Sequence, residues 1–168
     1  MNTQSDSEPR ILKIAACPSL SGRTAITYHL GCRDKDDVCF RIWDTSGKGV
    51  FSKEWVCATD IQRVLGQCES IYATSLLPVF KVGRSVNTAG FLLAALKHEG
   101  LVALSPDEAH RYVRMQSEQF IAQTAALIKS GVSLDPVKDA PAPGEGGKRG
   151  RRKASPPAWA APADSAGE

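Results

Sequence analysis

The chain reads as an α+β protein: an antiparallel sheet of three to four strands, covered by two or three helices and followed by a disordered C-terminal tail. Three observations carry that reading. Apolar and polar residues alternate on both sides of a polar gap between residues 26 and 43, the pattern of a half-buried hairpin. Further on, apolar residues recur at spacings of three and four, bounded by capping residues and glycine stops, which is the signature of helices. From about residue 135 alanine, proline and glycine dominate, with six of the ten prolines in 136–168. Such a composition cannot bury enough apolar surface to order a core. The boundaries that follow are a disordered start over 1–9, one α+β domain over 10–134, and a basic tail over 135–168.

The segment ILKIAA at 11–16 is a short strand, ended by Cys17 and Pro18 and by the Ser-Gly stretch after them. In the hairpin, a three-residue turn at 34–36 pairs Arg33 with Asp37. Ile26, Tyr28, Leu30, Cys32, Val38, Phe40 and Ile42 then share one apolar face. The other face carries Thr27, His29, Arg33, Cys39, Arg41 and Trp43. After a turn near 45–48 a further strand is expected, placing Phe51, Trp55 and Cys57 on the apolar face. A sheet with one apolar face needs a cover.

Helices supply it. Thr59 with Gln62 has the form of a capping box, and Ile61, Val64, Leu65 and Cys68 follow on one side. Pro78 interrupts IYATSLLPVFKV, and 79–82 is a candidate edge strand. Asn87 is a cap candidate for TAGFLLAALKHE, which stops at Gly100 and buries Phe91, Leu92, Ala95 and Leu96. The strongest local signal is Ser105-Pro106 with Glu108, which predicts a long helix from 106 to about 130, stopped by Gly131.

The formal charge is +3. Residues 136–168 hold six Lys/Arg against four Asp/Glu, or +2, leaving +1 for the body. Any attraction to nucleic acid is therefore local. Five cysteines, an odd number with no Cys-x-x-Cys pair and no secretory leader, suit reduced packed thiols in a cytoplasmic protein. Apolar runs are far below membrane-spanning length.

No catalytic motif stands in the chain. His29, His98 and His110 fit no metal or nucleophile spacing, and SGKG at 46–49 lacks the rest of a phosphate loop. The chain therefore reads as non-enzymatic and requires no cofactor. Cys32 and Cys39, with His29 near them, are a possible metal group, but the register puts Cys32 inward and Cys39 outward. A structural zinc site wants four converging ligands, so a buried and a solvent-side cysteine are expected instead.

Three basic features point to nucleic acid. On the outer sheet face, Arg33 and Arg41 beside Trp43 suit phosphate contact and base stacking. On the helices, Arg84, Arg111 and Arg114 suit phosphate contact, in a helix-turn-helix or winged variant whose connection EGLVALSP is longer than the tight form. In the tail, Lys148, Arg149, Arg151, Arg152 and Lys153 suit non-specific, salt-sensitive binding. The rival reading is a protein-interaction or adaptor module, a homodimer included, acting through the long C-terminal helix or the sheet face. Neither reading involves a membrane.

The combination TAITYHLGCRDKDDVCFRI, FSKEWV and SVNTAGFLLAALKHEGLV resembles small uncharacterised accessory proteins of bacterial plasmids and integrating conjugative elements, over about residues 11–104. The resemblance implies bacterial origin and a role in maintenance, transfer or regulation of mobile DNA, and assigns no individual residue. Together these features predict a DNA-binding accessory or regulatory protein.

Overall fold

The computed structural model of the chain describes residues 8–34, 37–81 and 85–139. Strands β1 (Arg10–Pro18), β2 (Ala25–Arg33), β3 (Asp37–Thr45) and β4 (Val56–Cys57) form one antiparallel sheet in that order. The α+β class and the four-stranded sheet are as the alternation predicts. Arg33 pairs with Asp37, Cys32 with Val38, Leu30 with Phe40 and Tyr28 with Ile42. Beyond Tyr28 the expected register slips. Thr27 pairs with Asp44, so Trp43 is the extra residue of a β-bulge, a device that re-aims a side chain. A second irregularity in β1 leaves Leu12 without an opposite number.

The region between β3 and β4 departs from expectation. Residues 48–55 form no strand, and only Val56 and Cys57 join the sheet. Val56 pairs with Phe40 and Cys57 with Cys39, so Val56 takes the apolar face and Cys57 the opposite one. Trp55 is also on the far side, its ring against Gly31. Coil wins here because the segment is held by hydrogen bonds of its own. The Ser52 N–H donates to Thr88 Oγ1 at 2.9 Å, and Glu54 Oε1 accepts from the Lys81 N–H at 2.7 Å.

Helix α1 (Ala58–Gly66) follows directly, with Cys57 rather than Thr59 at its N-cap and no side-chain capping bond. A 3-10 helix runs over Ala73–Val79, and of the edge strand expected at 79–82 residue 79 closes that helix, residues 80 and 81 form no strand and residue 82 lies outside the described residues. Helix α2 (Val86–His98) is capped by Ser85, whose hydroxyl accepts from the Asn87 N–H, and it ends ahead of Gly100 at φ +81°. Thr88, Ala89 and Leu92–Leu96 are all buried, so α2 is a central helix rather than one with a single stripe.

The long helix expected from Pro106 does not form. Strands β5 (Val102–Leu104) and β6 (Tyr112–Arg114) make a two-stranded hairpin, and Tyr112 also bridges to Ile71. The Ser105 hydroxyl accepts from the Asp107 N–H, within a turn rather than at a helix start. His110 at φ +65° is incompatible with continuing a right-handed helix. Helix α3 (Glu118–Ser130) starts only at Ser117, whose side chain accepts from the Phe120 N–H, and Gly131 at φ +76° ends it.

The core lies between the inner sheet face and the helices. Tyr28, Leu30, Phe40 and Ile42 meet Ile61 and Leu65 of α1, Leu76 of the 3-10 helix, Leu92 and Leu96 of α2, and Phe120 of α3. Phe40 and Phe120 stack at 5.9 Å between ring centroids. No helix among the described residues is long and apolar enough to cross a membrane. Residues 1–7 and 140–168 lie outside the described residues, and with them most of the expected start and tail. Pro9 at the end of that start is buried, and 135–139 make a turn in which the Asp139 N–H donates to the Asp135 carbonyl.

Candidate nucleic-acid interface

The outer face of the sheet is not the open basic surface that alternation suggested. Residue 29 faces it from β2 and residue 41 from β3, as a directly opposed pair. Their side chains are covered by Trp55 and Lys53 from the coil and by Glu8. His29 is fully buried and Arg41 is 7% exposed. A guanidinium removed from water needs partners on several sides, and Arg41 has them. Nη1 donates to Glu8 Oε1 at 2.7 Å, and Nη2 and Nε approach His29 Nδ1 at 3.1 and 3.4 Å. The Trp55 and Trp43 rings lie 4.3 and 4.8 Å from Cζ, while Lys53 Nζ sits 4.3 Å from the Trp43 ring. His29 stacks on Trp43 at 4.9 Å.

This geometry sets the tautomer of His29. Two Arg41 N–H groups point at Nδ1, so Nδ1 is an acceptor and the proton belongs on Nε2. A second proton on Nδ1 meets the guanidinium head-on. Burial first, then the charges of Arg41 and Lys53, accordingly lower the His29 pKa from 6.5 to about 4, against a smaller opposing pull from Glu8. The hydrogen bond from Arg41 holds the Glu8 carboxyl below its usual value.

Arg41 and Trp43 are therefore brought together, as expected, but as part of a closed cluster. Arg33 is not part of it. Its side chain runs toward the sheet edge, with Nη1 3.8 Å from Cys57 Sγ. Cys39, expected on the solvent side, is fully buried there beside Cys57. Sequence spacing had no means of finding Glu8, Lys53 or Trp55 as partners of this face, since all three reach it from irregular chain.

On the helical side, Arg111 lies in the β5–β6 hairpin and pairs with Glu108 at 3.3 Å. Arg114 is exposed on β6, near Gly66, and makes no ion pair among the described residues. Arg84 and the tail residues Lys148, Arg149, Arg151, Arg152 and Lys153 lie outside the described residues. At the far end of α2 a separate network joins helix to sheet. The Tyr28 hydroxyl bonds to Glu99 and lies 2.7 Å from His98 Nδ1, and Lys13 Nζ pairs with Glu99 at 2.9 Å. Burial and the Glu99 charge push the Tyr28 pKa up and raise the neighbouring Cys17 to about 11. Both groups stay protonated, as structural members of that junction.

No protein-family model, curated protein or solved structure matches the chain.

Proposed function

We propose that the chain is a non-enzymatic DNA-binding accessory protein of mobile DNA, acting in the cytoplasm. The observation that supports this most is the order of elements from α1 to β6. Helix α1 is followed by the extended residue Ile71, the 3-10 helix, α2, and the β5–β6 hairpin, with Ile71 bridged to Tyr112. That is the order of a winged helix-turn-helix, in which the last helix and the hairpin face the duplex. Here α2 leaves only Val86 and Asn87 exposed at its start and Lys97 and His98 at its end. Few side chains are free to read bases, so the reading is one of phosphate contact through Arg114, the hairpin Arg111, and the basic run at 148–153. The resemblance to plasmid and conjugative-element proteins favours the same direction.

Fluorescence anisotropy of a labelled duplex, titrated with the full chain across a salt series, tests it. Affinity is expected to fall steeply with salt. Arg114→Ala should weaken binding uniformly across sequences and lower the salt slope by about one. Neutralising the five charges of the tail run should lower it by about four to five. No binding by the full chain at low salt overturns the proposal.

A second reading, a protein-interaction module, rests on the groove between α1 and α3. Ile121 is 65% exposed and Met115 45%, beside Phe40, Ile61 and Gln62. Phe120, next to Ile121, is buried against Phe40. Sedimentation at rising concentration distinguishes the form in which two copies associate: a dimer abolished by Ile121→Asp supports it, and a strict monomer removes it.

A further inference from the structure

At the open edge of the sheet three metal-ligating side chains meet outside both surfaces described above. Asp37 and Cys39 are two residues apart on β3 and so project to the same side. Cys57 on β4 is directly opposite Cys39. The two sulfurs are 3.8 Å apart, Cys57 Sγ is 3.5 Å from Asp37 Oδ2, and all three ligand atoms lie within 4.8 Å of one another. A tetrahedral ion about 2.3 Å from sulfur and about 2.0 Å from oxygen separates its ligands by roughly 3.8 Å for two sulfurs and roughly 3.5 Å for sulfur and oxygen. Two edges of that tetrahedron are thus already set by the paired strands. The third, between Cys39 Sγ and the Asp37 carboxylate, lies within 4.8 Å.

From this juxtaposition we infer that Asp37, Cys39 and Cys57 form a binding site for a thiophilic divalent cation of the zinc class, with three protein ligands and a fourth position open to water or a partner. Two thiolates with one carboxylate favour zinc over magnesium or calcium, which prefer all-oxygen sites. Charge balance agrees. Three anionic ligands and a divalent ion leave one negative charge, and the Arg33 guanidinium, 3.8 Å from Cys57 Sγ, supplies the matching positive one. Cys39 Sγ donates to Cys57 Sγ, and Cys57 Sγ to Asp37 Oδ2. Binding therefore releases two thiol protons, one from each sulfur, as the metal–sulfur bonds form.

The test uses the reduced full chain under anaerobic conditions, titrated with cobalt(II) as a spectroscopic stand-in and then with zinc. The expected result is a thiolate-to-cobalt charge-transfer absorption saturating at one ion per chain and lost on adding zinc. Cys39→Ser and Cys57→Ser should abolish it, and Asp37→Asn should weaken cobalt binding about tenfold or more. Cys17→Ser, Cys32→Ser and Cys68→Ser should leave it unchanged. Far-ultraviolet circular dichroism on each variant, and zinc protection of the half-buried Cys57 from alkylation in the unmodified chain, separate loss of ligand from loss of fold. Absence of the band in the folded wild type overturns the site. So does a band that survives both Cys39→Ser and Cys57→Ser, or zinc protection that falls on Cys17, Cys32 or Cys68 instead.

Discussion

On one face of the sheet Tyr28, Leu30, Phe40 and Ile42 meet helices that bring Ile61, Leu65, Leu92 and Phe120. On the other, His29, Arg41 and Trp43 meet a coil and an N-terminal segment that bring Trp55, Lys53 and Glu8. The first face is held by apolar burial, which is non-directional and scales with area. The second is held by oriented contacts around one buried cation, each depending on its partner's position and charge state. Alternation in a strand normally separates a buried face from a wet one. Here it separates two kinds of burial, and the kinds should respond differently to cavity, crowding and acid.

The largest effect is expected on the apolar face. Phe40→Ala removes a fully buried ring stacked on Phe120 and should cost about 4 kcal/mol in urea denaturation. A loss under ~1 kcal/mol would mean that α3 and the sheet are not packed as described. Next comes Gly31→Ala on the opposite face. A Cβ there would lie 2.7 Å from two atoms of the Trp55 ring and 3.0 Å from Pro9 Cβ, so the ring must leave Arg41. Overpacking of this kind should cost about 2–3 kcal/mol and shift tryptophan fluorescence. An unshifted spectrum at full stability would show that Trp55 does not cover the sheet.

The smallest effect is the most diagnostic of the difference. His29 binds its proton less readily folded, near pH 4, than unfolded, near pH 6.5. Between those values the unfolded chain carries more protons, so stability is full above about pH 6.5 and falls as the pH drops toward 4. The loss expected from this one group reaches about 2 kcal/mol by about pH 5. His29→Asn should flatten that part of the profile, while Phe40→Ala should shift the whole curve without changing its shape. A wild-type curve flat from pH 6.5 to 4 would place charge outside the cluster's control.

The inner face was legible because period-two alternation in β2 and β3 carries its own register. Ile26, Tyr28, Leu30, Phe40 and Ile42 are where that pattern puts them. What alternation could not show was the bulge at Trp43, which has no glycine to announce it, or the coil at 48–55, whose residues alternate acceptably for a strand. The strongest capping signal, at Ser105 and Pro106, lost to long-range pairing of Tyr112 with Ile71 and Leu104. A local preference worth about 1 kcal/mol does not survive that competition. Arg41 looked like a free cation because its partner Glu8 is 33 residues away. Cys39 and Cys57 were assigned to opposite faces, and only the observed β4 register brings their sulfurs together.

One contact has a consequence for the order in which the molecule is built. The Arg10 guanidinium donates to the carbonyls of Ile128 and Val132, and the Leu134 N–H donates to the Ile11 carbonyl. The first strand is thus stitched to the exit of the last helix across 122 residues. During vectorial synthesis β1 emerges before α3, and its closing bonds wait until α3 has left the ribosome. Until then α3's C-terminal carbonyls and the Arg10 side chain are solvated. Joining β1 to the exit of α3 closes a loop of 122 residues, whose entropic cost grows only slowly with its length.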